Sequence, residues 1–272
     1  MSVHAQQPAK ITVRSLQASK QAGEKIACLT AYDASFAHVL DQAGVDLVLV
    51  GDSLGMVVQG QQTTLSVSVA DMLYHCKAVS RGLRRSMLMA DMPFLSYTSP
   101  QQALQHAGHF MKQANAQMVK LEGGAEQAEI VASLARNGIP VCAHLGLQPQ
   151  RVHKLGGYYV QGREQAAAEA MLREAQQLEQ AGADLILLEC VPASLAEAIT
   201  RALYIPVIGI GAGAGCDGQI LVLYDILGIS MGRIPKFSQD FLAETGSVEA
   251  AVKAYVEAVK SGTFPGKQHV FS

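Results

Sequence analysis

Four acidic residues in this chain each stand at the end of a short apolar run. They are Asp52 in "LVLVGDS", Asp91 in "MLMADMPF", Glu122 in "MVKLEGG" and Glu189 in "LILLECVP". A carboxylate at the end of a buried segment loses water, so it needs either a bonding partner or an altered pKa. Because the arrangement recurs on four separate segments, coincidence is a poor explanation, and the pattern indicates one shared chemical site.

Three more polar residues belong to the same or similar runs: Ser53, Lys120 and His144. Four carboxylates with one Lys and one His would repel one another strongly if nothing lay between them. A bound divalent cation is the simplest way to offset this repulsion. Ligands that are all oxygen favour Mg²⁺, or Mn²⁺, over zinc, and Mg²⁺ usually keeps positions open for water or a chelating substrate.

Each of these residues also has a structural interpretation. Asp52 could be a turn or helix-cap aspartate, and Lys120 with Glu122 could be a salt bridge at the rim of the fold. A lone His144 on a strand is more often a hydrogen-bonded core group than a catalyst. Glu189 is harder to explain in this way, since four apolar residues precede it.

The elements that must position these residues repeat along the chain. Helix-like segments ending in a small or turn residue pass within a few positions into apolar runs, as in "DQAGVDLVLVGDS" and "EQAGADLILLECVP", which is typical of parallel strands that are buried on both faces. Eight candidate strands begin near residues 26, 47, 86, 117, 140, 184, 206 and 219. The pattern predicts an α/β fold, a single all-parallel (β/α)8 TIM barrel with extra C-terminal helices. A doubly wound open sheet is the alternative, and the eighth strand, "GQILVLYD", could instead begin a helix.

Alternation along each strand predicts which side chains face the barrel interior. If Val48 and Val50 point inward, then so does Asp52. The same count pairs Cys142 with His144, and Leu187 with Glu189. Since functional residues of parallel barrels lie at the carboxyl ends of the strands, the mouth should present Asp52, Ser53, Asp91, Lys120, Glu122, His144 and Glu189.

Composition narrows the class of protein. The chain has 272 residues, 49% of them hydrophobic, and a formal net charge of −2; the length suits one domain. No basic stripe indicates nucleic acid or anionic lipid, so a small-molecule partner is expected. Residues 1–10 lack the apolar core of a signal peptide and no run is long enough to span a membrane. We therefore expect a cytoplasmic protein with a flexible tail at 1–10 and one barrel domain at 11–272.

Two further sequence features favour structural roles. The five cysteines (Cys28, Cys76, Cys142, Cys190 and Cys216) show no CxxC spacing, so we interpret them as small buried hydrophobic residues and not as a zinc site. The run "IGIGAGAGCDGQ" lacks the GxGxxG and GK[ST] patterns of nucleotide sites, and its Asp217 disfavours a bound phosphate. Tight packing where the barrel closes is the favoured interpretation of its glycines.

Taken together, the motifs "TAYDASFA", "LVGDSLGMVVQG", "ADMPF", "MVKLEGG", "VCAHLGLQPQ", "GGYYVQGR", "LLECVP", "IGIGAGAGCDGQILV" and "PKF" closely resemble those of the ketopantoate hydroxymethyltransferase family. The resemblance runs from about Ile11 to the C-terminal "FPGKQHVF". It implies a magnesium-dependent (β/α)8 barrel that moves a hydroxymethyl group from methylenetetrahydrofolate to 3-methyl-2-oxobutanoate. It also implies a large homo-oligomer, commonly a decamer of stacked pentamers.

The resemblance assigns roles to the residues that match the motifs. The metal would be surrounded by Asp52, Asp91 and Glu122, and the two aspartates would also belong to the substrate-binding residues. Ser53 and Lys120 would hold the 2-oxo acid, with His144 near it, and Glu189 would be the general base. Two other functions stay open: a barrel lyase or mutase that acts on 2-oxo acids without folate, and a non-catalytic sensor of small acids, which would not need Glu189.

Overall fold

Eight parallel strands close into a barrel in chain order, β1 pairing with both β2 and β8. The computed structural model describes residues 9–232 and 234–271, so most of the predicted N-terminal tail lies outside the described residues. The closed order confirms the TIM barrel and excludes the open sheet. The strands are β1 Ile26–Thr30, β2 Leu47–Val50, β3 Met87–Asp91, β4 Met118–Glu122, β5 Val141–Gly146, β6 Leu185–Glu189, β7 Val207–Ile210 and β8 Gly218–Leu221.

Helices surround the barrel, and their ends follow local signals. At the start of α4 the Ser68 hydroxyl accepts from the Asp71 amide while the Asp71 carboxylate accepts from the Ser68 amide, and α5 ends at Asn115 in the left-handed conformation. No helix among the described residues has both the length and the apolar character needed to cross a bilayer. In this part of the chain the helices are α1 Val13–Ala22, α2 Ala34–Gln42, α3 Leu54–Val57, α4 Val69–Gly82, α5 Pro100–Ala114, α6 Ala128–Arg136, α7 Val152–Leu155, α8 Gln165–Gln180, α9 Ala193–Ala202, α10 Leu223–Ile226, α11 Phe241–Thr245 and α12 Val248–Lys260.

The predicted inward faces of β3 to β6 are confirmed, but the face predicted for β2 is wrong. Leu49, not Val48 or Val50, lines the barrel cavity and lies in register with Met89 of β3. Asp52 nevertheless reaches the cavity, because β2 ends at Val50 and the chain then turns. Strict alternation no longer applies once a strand has ended.

The glycine-rich run forms the short connection between β7 and β8. This connection, residues 211–217, contains no helix, whereas a parallel crossover usually needs about a dozen residues or more. A Cβ atom on Gly218 would lie 2.3 Å from the Ile26 carbonyl oxygen, and one on Gly209 would lie 2.8 Å from the Cys216 sulfur. The prediction of tight packing at barrel closure is therefore confirmed.

The amino ends of the strands are held by polar contacts away from the mouth. Asp217 pairs with Lys20 of α1 at 2.8 Å and accepts from the Val207 amide at 2.8 Å. On α12, the buried Tyr255 hydroxyl lies 2.8 Å from the Cys28 carbonyl oxygen and 3.0 Å from that of Gln219. The C-terminal helix is thus hydrogen-bonded to β1 and β8, where the barrel closes. All five cysteines are buried and free, as predicted.

Removing the Tyr255 hydroxyl tests this closure. Tyr255→Phe should lower the free energy of unfolding by about 1–3 kcal/mol, because two buried carbonyls lose their shared donor. Urea unfolding followed by circular dichroism measures the change. Tyr204→Phe is the control, because Tyr204 is 89% exposed. Equal stability of the two variants would show that the hydroxyl does not help to hold the closure.

Candidate active site

A cavity of about 680 Å³ opens at the carboxyl ends of the strands. Its wall includes every residue that the sequence placed at the mouth. The arrangement therefore brings the whole predicted set into one space, and the set consists of Asp52, Ser53, Asp91, Lys120, Glu122, His144 and Glu189.

A buried ion pair lies at the centre of the cluster. Asp91 and Lys120 are register partners on β3 and β4, and the Lys120 ammonium is 2.7 Å from both Asp91 carboxylate oxygens. It also lies 3.7 Å from Glu122 Oε1. Burial alone would lower the pKa of Lys120, but the surrounding carboxylates outweigh burial and raise it, so the ammonium stays charged at neutral pH.

Negative charge exceeds positive charge around this ammonium. Burial and then the charge of Asp91 raise the pKa of Asp52 well above its ordinary value, against the effect of Lys120. Burial likewise raises the pKa of Asp91, although Lys120 opposes it. The cluster is therefore short of positive charge, which is the condition that a bound cation would relieve.

Neutral donors from two loops hold the carboxylates in place. The Gln150 side-chain amide donates to Asp52 Oδ2 at 2.9 Å, and its backbone amide donates to Glu122 Oε2 at 3.0 Å. Tyr97 donates to Gln150 Oε1 at 2.6 Å and accepts from the Glu122 amide at 3.2 Å. The sequence prediction missed Gln150 and Tyr97; the only signal was that "GLQPQ" belongs to a family motif.

His144 on β5 lies between two carboxylates. Its Nδ1 is 3.5 Å from Glu122 Oε1 and its Nε2 is 3.3 Å from Glu189 Oε2, which are ion-pair distances. Burial and the charge of Lys120 would lower the pKa of His144, but the two carboxylates raise it to about 9. The imidazole is therefore protonated at neutral pH and joins Glu189 to the rest of the cluster.

Glu189 differs from the other acidic groups in its access to the cavity. Its side chain is 16% exposed, against 2% for Glu122. After β1 and β2, the Ser53 hydroxyl lies 2.9 Å from the hydroxyl of Tyr32, another residue that the sequence prediction missed. Burial raises the pKa of Tyr32, so its phenol stays protonated and can hydrogen-bond with Ser53.

The donor atoms fit a hard divalent cation. Asp52, Asp91 and Glu122 offer only oxygen, and Glu122 Oε1 is buried without a hydrogen-bond partner among the described residues. Within residues 9–232 and 234–271, no group of three or more Asp, Glu, His or Cys side chains is arranged to hold a metal ion without other ligands. Such a site suits Mg²⁺, which commonly binds through one or two carboxylates and fills its other positions with water or substrate.

A closed parallel barrel that carries this charged cluster at the carboxyl ends of its strands defines a barrel enzyme. Comparison with known sequences identifies the family. A family model described as ketopantoate hydroxymethyltransferase matches residues 10–267. The chain belongs to the ketopantoate hydroxymethyltransferase family, which confirms the resemblance seen in the motifs.

Curated relatives match almost the whole chain. A 3-methyl-2-oxobutanoate hydroxymethyltransferase from Alkalilimnicola ehrlichii is 61% identical over 261 residues, covering 96% of this chain and 94% of the relative. One of the same name from Shewanella loihica is 57% identical over 263 residues, covering 97% and 99%. The similarity therefore covers the whole barrel of this chain.

Solved structures share the fold at much lower identity. Phosphonopyruvate hydrolase superimposes with a TM-score of 0.62 at 14% identity, covering 79% of this chain and 83% of that protein. A 2,3-dimethylmalate lyase, described as a member of the PEP mutase/isocitrate lyase superfamily, gives a TM-score of 0.54 at 18% identity, covering 74% and 72%. At these identities the similarity establishes the barrel fold alone.

The raised pKa of His144 can be measured directly. In metal-free protein kept in EDTA, exchange of the imidazole C2 hydrogen, followed by mass spectrometry, should titrate near pH 9 for His144. This folded-state pKa is above the unfolded value of about 6.5. The protonated imidazole therefore contributes its full stabilisation of the fold below about pH 6.5, and this contribution is lost as the pH rises through about 9. A titration midpoint at or below about 6.5 would contradict the ion pairs of His144 with Glu122 and Glu189. The exposed His38 serves as the internal reference for hydrogen exchange.

Proposed function

We propose that the protein transfers a hydroxymethyl group from methylenetetrahydrofolate to 3-methyl-2-oxobutanoate and forms 2-dehydropantoate, the first committed step of pantothenate synthesis. Membership of the family supports the reaction. The structural observation that carries the proposal is the position of Glu189, a carboxylate that lines the same cavity as the buried pair of Lys120 and Asp91. That arrangement suits removal of a proton from a bound 2-oxo acid.

The substrate and the metal would share the inner end of the cavity. Mg²⁺, with Mn²⁺ as the alternative, would be surrounded by Asp52, Asp91 and Glu122, directly or through bound water. When bound, the cation would act as a Lewis acid and favour negative charge on the keto oxygen of the substrate. The protonated Lys120 and the Ser53 hydroxyl would bind the anionic substrate, and the two aspartates would line its pocket.

Glu189 would act as the general base. It would accept the proton from C3 of the substrate, a step to which a positioned base contributes about 10²–10⁴-fold. His144 would keep the Glu189 carboxylate at its place, since its Nε2 lies 3.3 Å from Glu189 Oε2. The one-carbon unit, which methylenetetrahydrofolate holds between two nitrogens, would then form one bond to carbon C3 and one to the oxygen of a water molecule as both of its bonds to nitrogen break. The two nitrogens would take up two protons, one derived from C3 and one from water, and tetrahydrofolate would leave.

The two other functions left open by the sequence are less well supported. A lyase or mutase of the barrel class would share the metal and the 2-oxo acid, but the folate-dependent family matches nearly the whole chain. A sensor would not need Glu189 in the cavity. Turnover of 3-methyl-2-oxobutanoate with and without methylenetetrahydrofolate, in Mg²⁺ and in EDTA, distinguishes the three functions.

The setting of the enzyme is also proposed from the resemblance. Residues 11–272 would form one catalytic domain, and the protein would assemble as a homo-oligomer, a decamer, in the cytoplasm. Its other partners would be the two small-molecule substrates.

Asp91→Asn tests the metal site. Mg²⁺ affinity, measured by calorimetric titration in the presence of 3-methyl-2-oxobutanoate, should fall by about tenfold or more, because one carboxylate charge is lost. Glu129→Gln, on the exposed face of α6, is the control and should bind Mg²⁺ as the parent protein does. Unchanged affinity in Asp91→Asn would remove this residue from the metal site.

Glu189→Gln tests the base. The variant should still bind the 2-oxo acid, because the amide has the same shape, but exchange of the C3 hydrogen with deuterated water should slow by roughly 10²-fold or more. Proton NMR follows this exchange without folate. Exchange at the parental rate would transfer the role of base to another group, with His144 as the next candidate.

A further inference from the structure

One carboxylate in the cavity wall has no part in the chemistry described above. Asp225 lies on α10, directly after β8, and only 6% of its surface is exposed. The charged cluster occupies the ends of β2 to β6, so Asp225 lies on the opposite side of the mouth, beside β1. There the Leu223 amide donates to the Thr30 hydroxyl at 3.1 Å.

Asp225 has little to compensate its burial. The Ser230 hydroxyl donates to Asp225 Oδ1 at 2.5 Å, which is the only side-chain hydrogen bond to this carboxylate from the described residues. In residues 9–232 and 234–271, no cation lies within salt-bridge distance of it. A carboxylate has about four acceptor positions, so Asp225 can accept further N–H groups from a ligand in the cavity, and they would offset the cost of its burial.

Outside the charged cluster, the wall of the cavity that Asp225 lines is apolar and aromatic. It includes Met231, Phe237 and Phe271. A Cβ atom on Gly211, in the glycine-rich connection, would lie 3.0 Å from the Phe237 ring and 3.1 Å from the Phe271 ring. The absence of a side chain at Gly211 therefore leaves room for two phenyl rings to line this side of the mouth.

The size of the cavity also calls for a second ligand. Its volume of about 680 Å³ lies within the range of about 300–1,000 Å³ that is typical of sites for drug-sized molecules. A small 2-oxo acid at the inner end fills only part of it. The remaining space has an apolar wall and one buried carboxylate, which suits a flat heteroaromatic ring with N–H donors on one edge.

We propose that Asp225 and Ser230 form the subsite for the pterin ring of the folate substrate, with Asp225 accepting hydrogen bonds from the 2-amino group and the N3–H of its pyrimidine edge. This inference rests on the proposed function. The two N–H groups are parallel and match the two oxygens of a carboxylate, as a guanidinium does. Ser230 fixes the orientation of Asp225, and the ring lies against the aromatic wall, where stacking adds to binding.

Calorimetric titration with tetrahydrofolate tests the subsite in the intact protein with Mg²⁺ present. Asp225→Asn should weaken tetrahydrofolate binding by about tenfold or more, since it loses a charged acceptor, and Ser230→Ala should weaken it less. Asp184→Asn is the matched control. This carboxylate is also partly buried and accepts one hydrogen bond, from the Val141 amide at 3.0 Å, but it lies at the amino end of β6. Parental affinity in Asp225→Asn would overturn the proposal.

A ligand variant gives a test that does not depend on folding of a mutant. The parental protein should bind 2-desamino-2-methyl-tetrahydrofolate about tenfold or more weakly than tetrahydrofolate, and Asp225→Asn should discriminate less between the two. Equal affinity of the parental protein for the two folates would overturn the subsite. The proposed function would still stand in that case if the parental protein turned over its substrates. Failure of the parental protein both to exchange the C3 hydrogen and to turn over would instead overturn the function.

Discussion

The site depends on one buried ammonium that faces too many carboxylates. Lys120 is in contact with Asp91 and close to Glu122, and Asp52 lies on the other side of Asp91. Because burial removes the water that would screen these charges, each carboxylate changes the pKa of the others. The remaining negative charge suits the cluster to a bound cation, and the carboxylates also keep Lys120 protonated.

Strands and loops of the barrel contribute different groups to the site. Strand ends carry the charged groups, since adjacent parallel strands hold Asp91 beside Lys120 and Glu122 beside His144 in register. Loops supply neutral donors, of which Gln150 is the main one. Rigid strands fix the distances between charges, and the loops select which carboxylate oxygens remain free for a ligand.

The two sides of the mouth differ in chemistry, and the difference suits a reaction with two substrates. The ends of β2 to β6 form a polar side that carries the charged cluster. The ends of β7, β8 and β1 form an apolar side in which Asp225 is the buried acidic group. The short glycine-rich connection contributes to this second side, because Gly211 leaves space for the Phe237 ring.

The sequence by itself indicated eight strands, favoured a closed barrel over an open sheet, and identified seven charged or polar residues at the mouth, because a strand buried on both faces is largely apolar up to its carboxyl end. It predicted the wrong face for β2, since alternation cannot reveal that the strand ends at Val50. Only the tertiary structure brought Gln150, 98 positions away, to Asp52 and placed Asp225 in the same cavity. Hydrogen bonds between distant loops leave no periodic pattern in a single chain, because they depend on where the folded backbone brings each loop.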